Sequence, residues 1–368
     1  MSLTENRLLG VDAFKGIACV MIVWHHLAFY GPMSDVVQPF VPGLTGWLYD
    51  YGRMAVQVFL VVGGFLAASS LAPEGVAVFG QPGRLILRRY RRLVRPYLVA
   101  LAVSVLVSEL VRPWFDHPSV SAAPTFLQVL AHVLMLQDVT GQEALSAGVW
   151  YVAIDLQLFA MSVLIFGMAR QLQTRWPGMP ARLPGVGLVL VLAVSSLFFF
   201  NRHAGLDMTG LYFFGSYALG MLAFWASTAV NKANAGKSGQ WLLAIALLGG
   251  AALALDFRGR IALALVVAFG LVGLQQSVGT AWLRRWLQQR WLTQLGKISY
   301  SVFLIHFPVC LLVNAVVSHF WPTQILANAL GLLAAFLLSL LAGVVLYWGV
   351  ESRGAPSRSV PKAGIIAA

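Results

Sequence analysis

The stretch VDAFKGIACVMIVWHHLAFY, residues 11–30, is typical of one membrane-spanning helix. It is almost wholly apolar over about twenty residues, the length that a helix needs to cross a bilayer. It nevertheless contains Lys15, His25 and His26, and ionisable side chains are costly inside a membrane, so they mark candidate functional positions. This stretch therefore predicts the class of fold and a candidate site together.

The composition of the whole chain agrees with a membrane protein. Of its 368 residues, 59% are hydrophobic and 10% are charged, whereas a soluble domain carries about 25% charged residues. So few charges cannot cover a soluble surface of this size. We expect one integral-membrane domain over residues 1–353. The remaining residues, 354–368, are rich in Pro, Ser, Ala and Gly, which predicts a disordered cytoplasmic tail.

Hydropathy predicts an all-α bundle of about ten membrane helices with both termini in the cytoplasm. The positive-inside rule supports this number, because nineteen Lys and Arg fall in the predicted inner segments and five in the outer ones. A tight turn is expected at 256–260. The predicted spans are roughly 13–30, 51–71, 94–112, 148–168, 184–200, 210–229, 240–256, 260–277, 298–318 and 325–349.

Two segments, about 31–50 and 113–147, are the longest of the outer connections in this topology. The first contains three prolines and is expected to link two helices without spanning. The second contains TFLQVLAHVLMLQ, residues 125–137. This piece is apolar but too short to cross the bilayer, which favours a re-entrant or interfacial helix.

The net charge of +12 does not indicate a nucleic-acid-binding protein. Basic loops beside apolar segments follow from membrane topology, and we expect contacts with membrane lipid instead. Cys19 and Cys310 both lie in apolar stretches, so neither a disulfide framework nor a metal site is expected.

The two adjacent histidines of the first helix point about 100° apart, so at most one is expected to be catalytic. Lys15 precedes His26 by eleven residues, roughly 16 Å along the axis and on nearly the same face. A cation near the cytoplasmic mouth and a histidine in mid-membrane would then line one channel. In the alternative interpretation, each histidine only hydrogen bonds to a neighbouring helix and Lys15 extends to the inner interface.

Six arginines stand just ahead of the third predicted span, in GRLILRRYRRLVRPYLVA, residues 83–100. Six are more than topology requires, and the planar guanidinium group is suited to phosphate. The cluster indicates either a phosphorylated cytosolic ligand or a topology anchor that contacts anionic lipid.

Polar residues also interrupt the fourth and ninth spans. GVWYVAIDLQLF, residues 148–159, contains Asp155. LGKISYSVFLIHFP, residues 295–308, contains Ser299, Tyr300, Ser301 and His306. These side chains either serve chemistry or form hydrogen bonds between helices.

Seven segments in this order resemble the acyltransferase 3 family of membrane acyltransferases, over almost the whole chain. The first has the spacing of a basic residue, ten residues and a histidine, which only His26 satisfies relative to Lys15. Members usually have Arg at Lys15, Ser at Gly63 and Glu at Asp155. The segments are residues 11–27, 56–69, 88–101, 149–159, 212–225, 295–309 and 347–356.

The resemblance implies transfer of an acyl group, most commonly acetyl, from cytosolic acyl-CoA to a hydroxyl group of a glycan or glycolipid across the bacterial inner membrane. Acyl-CoA is then a co-substrate, and no permanently bound cofactor is expected. The catalytic candidates are His26, as general base, with Asp155 and His306. The candidates for binding acyl-CoA are Lys15, Arg88, Arg89, Arg92 and Arg95.

Two alternatives stay open at this level. His26 could act as a base for direct transfer or carry the acyl group in a covalent relay. Intramembrane histidine and aspartate residues also occur in transporters, so a flippase for a glycan or lipid precursor is the rival hypothesis. The sequence leaves the acceptor and the oligomeric state open.

Overall fold

The computed structural model describes residues 3–231, 235–274 and 281–354, and these residues form helices and their connections without any strand. The all-α prediction is therefore confirmed. Apart from Gly354, the predicted disordered tail lies outside the described residues. The helices are α1 (Leu3–Phe29), α2 (Met33–Val37), α3 (Pro42–Tyr51), α4 (Val56–Leu71), α5 (Pro82–Val111), α6 (Phe126–Val133), α7 (Val149–Arg175), α8 (Leu183–Phe198), α9 (Gly210–Asn231), α10 (Ala235–Leu255), α11 (Gly259–Gly273), α12 (Ala281–Leu287), α13 (Arg290–Phe320) and α14 (Ile325–Leu346).

The chain is a multi-pass membrane protein. Within the described residues, eight helical segments are long and apolar enough to cross a bilayer. The other two predicted spans correspond to α9 and to the shorter apolar helix α11. The predicted turn at 256–260 is confirmed, since α10 ends at Leu255 and α11 begins at Gly259. The total of ten spans and the cytoplasmic placement of the termini stay predictions.

The segment 31–50, expected to be a connection, is largely helical. It contains α2 and α3, and a 3₁₀ turn at Gly52–Ala55 joins α3 to α4, so that Pro42–Leu71 forms one 30-residue apolar segment. The prolines suggested a loop, but Pro42 stands in the first turn of α3. Proline is well tolerated there because that turn has no hydrogen-bond partner for its N–H groups.

The short apolar piece of the second long segment is a helix, as predicted. It forms α6, which begins with a capping box between Thr125 and Gln128. The Thr125 side chain accepts the Gln128 N–H, and the Gln128 side chain accepts the Thr125 N–H. This reciprocal pair satisfies two backbone donors that a helix start would leave free.

Glycines set the closest helix contacts in the bundle. Between α1 and α13, a Cβ on Gly296 would lie 1.8 Å from the carbonyl oxygen of Asp12, and a Cβ on Gly16 would lie 2.8 Å from that of Leu292. Between α4 and α9, a Cβ on Gly220 would lie 1.9 Å from the carbonyl oxygen of Val61. Small residues of this kind let membrane helices approach backbone to backbone.

Candidate functional site

His26 and His306 form a directly hydrogen-bonded pair, in which His306 is fully buried and His26 is partly buried. Nδ1 of His26 lies 2.6 Å from Nε2 of His306, and the two rings are nearly parallel, with centroids 4.9 Å apart and an angle of 9° between planes. His26 is in the last turn of α1, not midway along it as the mid-membrane expectation implied. His306 is near the middle of α13. The structure thus brings together two of the three predicted catalytic residues.

The hydrogen bonds assign the tautomers of this pair. Nδ1 of His306 lies 3.2 Å from the carbonyl oxygen of Val302, which can only accept, so Nδ1 donates and Nε2 has the lone pair. His26 Nδ1 therefore donates to His306 Nε2. The lone pair of His26 is then on Nε2, for which the described residues provide no hydrogen-bond partner. A neutral histidine with this arrangement can accept a proton.

The register of α1 and α13 explains why these histidines meet. Gly16 and Gly296 lie at the tight crossing of the two helices, and each stands ten residues before one histidine. Between these positions, the Cys19 thiol contacts the carbonyl oxygen of Ser299 at 3.6 Å. All three pairs are separated by 280 residues in sequence, as expected for parallel helices that rise equally.

His25 has a different environment from His26. Its Nδ1 hydrogen bonds to the carbonyl oxygen of Leu48 at 2.9 Å. A Cβ added to Gly52 would lie 2.7 Å from the His25 Cβ, so there is no room for a side chain at position 52. His25 therefore joins α1 to α3 and the following turn. That at most one of the adjacent histidines is catalytic stays a prediction.

A cavity of about 210 Å³, here called the basic cavity, opens at the end of the bundle where α1, α5 and α13 begin. Its lining includes more cations than carboxylates. The cationic side chains are Lys15, Arg89, Arg92 and Lys297, and the carboxylates are Asp155 and Glu351. The cavity combines residues from six separate stretches of sequence, and its excess positive charge suits an anionic ligand.

Two of the predicted site residues form an ion pair in the basic cavity. Nη2 of Arg89 donates to the Asp155 carboxylate at 2.6 Å, and the guanidinium also lies over the ring of Phe159, 5.3 Å from its centroid. Asp155 therefore lies apart from the histidine pair and orients an arginine. Lys15 makes a longer contact of 3.3 Å with Asp12.

An aromatic cluster lies between the basic cavity and the histidine pair. Phe59, Tyr151 and Phe303 all line the cavity, and their ring centroids are 5.5 to 6.1 Å apart. Phe303 also contacts His306, with centroids 6.0 Å apart. One buried ring therefore connects the cationic end of the site with the histidine end.

The remaining predicted arginines are placed differently. Arg88 and Arg95 are exposed and do not line the basic cavity, whereas Arg92 is exposed at its mouth. Lys297 and Glu351 also line the basic cavity and were not among the predicted site residues. Glu351 accepts a hydrogen bond from the Ser301 hydroxyl at 2.6 Å. Both residues belong to segments of the resemblance, which was the available signal.

The comparison with family models decides the class of protein. The acyltransferase 3 model, described as an acyltransferase domain, matches residues 8–348. The chain belongs to the acyltransferase 3 family. The family assignment favours acyl transfer over the transport hypothesis.

One relative among curated proteins is "Regulator of hypoxia-inducible factor 1" of Caenorhabditis elegans, which is 23% identical over 210 residues. The match covers 53% of this chain and 40% of the relative. The chain thus spans less than half the length of that relative. No solved structure matches the chain.

Proposed function

We propose that this acyltransferase transfers an acyl group, most commonly acetyl, from acyl-CoA to a hydroxyl group of a glycan or glycolipid, with Nε2 of His26 as the general base. The observation that carries this proposal is the hydrogen-bond chain from Val302 through His306 to His26. It holds His26 in the tautomer whose free lone pair can accept a proton. Histidine is also the side chain whose ordinary pKa suits this task at neutral pH.

In the proposed transfer step, one proton passes through His26 from the acceptor to the leaving group. Nε2 of His26 removes the proton of the acceptor hydroxyl while the hydroxyl oxygen attacks the thioester carbonyl carbon. The C–S bond breaks, and the departing CoA thiolate takes the proton from the His26 imidazolium. The products are an ester and free CoA thiol. His306 accepts the Nδ1 hydrogen bond throughout, which stabilises the positive charge that develops on His26.

The basic cavity supports acyl-CoA as the donor. Lys15, Arg92 and Lys297 can contact phosphate oxygens, and Arg89 is oriented by Asp155. A cavity of about 210 Å³ is smaller than the sites of drug-sized ligands, which are roughly 300–1,000 Å³. We therefore propose that it holds only part of the donor, and that the acyl end extends past Phe303 toward His26.

The charge distribution supports the proposed orientation in a bacterial inner membrane. The basic cavity lies at the arginine-rich end of the bundle, which the positive-inside rule places in the cytosol, where acyl-CoA is made. The acceptor hydroxyl would then approach His26 from the opposite end. An acyl-histidine intermediate on Nε2 is the alternative route within the same proposal.

Purified protein in nanodiscs, supplied with acetyl-CoA and candidate glycan acceptors, tests the proposal through release of free CoA thiol and the mass of the acceptor. We expect His26→Ala to abolish both signals while the protein stays folded. His25→Ala is the matched control for substitution of a histidine in α1, and it should retain most of the transfer activity. Undiminished transfer by His26→Ala would refute the role of His26. A rapid burst of acetylated protein that depends on His26 would favour the relay.

A further inference from the structure

Three of the five arginines predicted at the outer end of the bundle come together in the structure. Arg202 follows α8, Arg258 stands in the turn between α10 and α11, and Arg260 is in the first turn of α11. The positive-inside rule disfavours arginines on this side of a membrane. Their clustering at one place therefore calls for a specific reason. These three residues are called the outer arginine cluster.

Hydrogen bonds hold two members of the cluster in fixed positions. Arg258 donates to the Asn201 side chain at 2.5 Å and to the carbonyl oxygen of Leu197 at 3.0 Å. Arg260 donates to the carbonyl oxygen of Asn201 at 3.1 Å, and its guanidinium lies over the ring of Tyr212, 4.8 Å from the centroid. The guanidinium groups are thus oriented before any ligand binds.

The positive charge of the cluster is only partly neutralised. Among the described residues, Asp256 is the single carboxylate within ion-pair distance, 3.5 Å from Arg258 and 3.9 Å from Arg202. Burial, together with the charges of Arg260 and Arg202, lowers the pKa of Arg258. The Nε of Arg260 is buried without a hydrogen-bond partner. Buried donors are normally paired, so the cluster has unused capacity for an anion.

One turn of backbone connects the outer arginine cluster to His25, the residue that precedes His26 in α1. The turn Gly52–Ala55 packs on His25 through Gly52. Met54 of the same turn lies against Gly259 of α11, because a Cβ added to Gly259 would be 3.1 Å from the Met54 Cε. Arg53 in this turn is exposed and acts electrostatically on His25. A ligand bound by the cluster would therefore lie on the side of the bundle from which His26 is approached.

We propose that the outer arginine cluster binds an acidic group, phosphate or carboxylate, of the acceptor. This inference rests on the proposed function and adds the chemical class of the acceptor. Arginine suits this role because its planar donor fork matches both groups. Arg202, which is partly exposed and makes only the 3.9 Å contact, is the member available to an incoming ligand.

Binding of a phosphorylated sugar in the absence of acyl-CoA tests this proposal. The probe is radiolabelled glucose 1-phosphate, measured by equilibrium dialysis on protein in phosphatidylcholine nanodiscs, and methyl glucoside is the neutral counterpart. We expect wild type to bind the phosphorylated probe at least tenfold more tightly than the neutral one. Arg202→Gln and Arg260→Lys should each remove most of this preference. Arg112→Gln, an outer arginine paired with Glu109, is the matched control and should keep it.

The outcomes separate this proposal from the proposed function. Equal binding of both probes, or an unchanged preference in Arg202→Gln, would overturn it, even if CoA release still depended on His26. Loss of probe binding when phosphatidylglycerol replaces phosphatidylcholine would also overturn it, because the cluster would then bind lipid headgroups. Retained probe binding without any CoA release would support the cluster and contradict the acyl-transfer mechanism.

Discussion

Gly16 and Gly296 pack backbone against backbone, and this contact sets the register that joins His26 to His306. Each glycine stands ten residues before its histidine, or about 15 Å along its helix. Helices α1 and α13 run in parallel from this crossing, so a displacement there is carried to the histidine pair. The geometry of the candidate site therefore depends on residues that have no chemistry of their own.

Gly296→Ala is expected to inactivate the enzyme. The added Cβ would meet the Asp12 carbonyl oxygen at 1.8 Å, and backbone cannot move aside as a flexible side chain can. Separation of the helices by about 1 Å would lower the rate of acyl transfer about 100-fold. Release of CoA thiol measures the effect. Gly187→Ala in α8, where an added Cβ meets nothing within 4 Å, should have wild-type activity. Wild-type activity in Gly296→Ala would contradict this account of the register.

His306→Ala should lower kcat by about 100-fold or more and leave the KM for acyl-CoA nearly unchanged. The substitution removes the acceptor that fixes the tautomer of His26. Because the two histidines act as one unit, the double variant with His26→Ala should be no slower than His26→Ala alone. Additive losses in the double variant would show that His306 acts separately.

Loss of a cation from the basic cavity should weaken donor binding. Arg92→Gln and Lys297→Gln are each expected to raise the KM for acyl-CoA about tenfold with little change in kcat, since one charge-assisted contact to phosphate is removed. Arg88→Gln is the matched control, because Arg88 is exposed and does not line the cavity. Equal effects of all three substitutions would indicate a general surface charge effect instead of a binding site.

Sequence patterns could identify individual site residues but not their partners. The spacing from Lys15 selected His26 over His25, and the structure gives these two histidines different environments. His306 was selected only as a polar residue in an apolar span. Its contact with His26 joins positions 280 residues apart. No local pattern encodes that register, which arises from the packing of α1 against α13.

The Arg89–Asp155 pair shows that the partners of charged residues also could not be predicted from the sequence. Sequence assigned Asp155 to catalysis and Arg89 to phosphate binding, but their 2.6 Å contact makes Asp155 a partner of the cation. Hydropathy and loop charge were sufficient to predict an all-α membrane protein, because they depend on whether each segment lies in lipid or in water. They were insufficient for residues 31–50, where prolines at helix starts resembled loop residues.

Asp155→Asn is expected to destabilise the protein by about 3 kcal/mol, because it leaves the largely buried Arg89 guanidinium without its counter-charge. Adding Arg89→Gln should recover part of the loss, since the double variant has no unpaired charge. Unfolding in detergent, followed by denaturant titration, measures both. Equal or greater destabilisation in the double variant would contradict the pairing as the cause.

The segment that follows α6 should lose protection from hydrogen exchange in acid, because His132 becomes protonated. Its Nδ1 donates to the Gln128 carbonyl oxygen at 2.7 Å, and its Nε2 accepts the Leu145 N–H at 3.2 Å, so the fold uses the neutral ring. Burial lowers the pKa of His132 from its ordinary value of 6.5. The pKa of His132 is therefore lower in the folded state than in the unfolded state. The stabilisation of the fold by neutral His132 is complete above pH 6.5 and is lost as the pH falls through the pKa of the folded state.

Hydrogen exchange at the Leu145 amide, corrected for the intrinsic effect of pH, measures this loss. We expect protection to be constant above pH 6.5 and to decrease as the pH falls below it in wild type, because protonated Nε2 can no longer accept the amide hydrogen bond. His132→Gln should start with weaker protection and show little change over this range. A similar pH dependence in His132→Gln would assign the transition to another group, whereas constant protection in wild type would show that the ring stays neutral throughout.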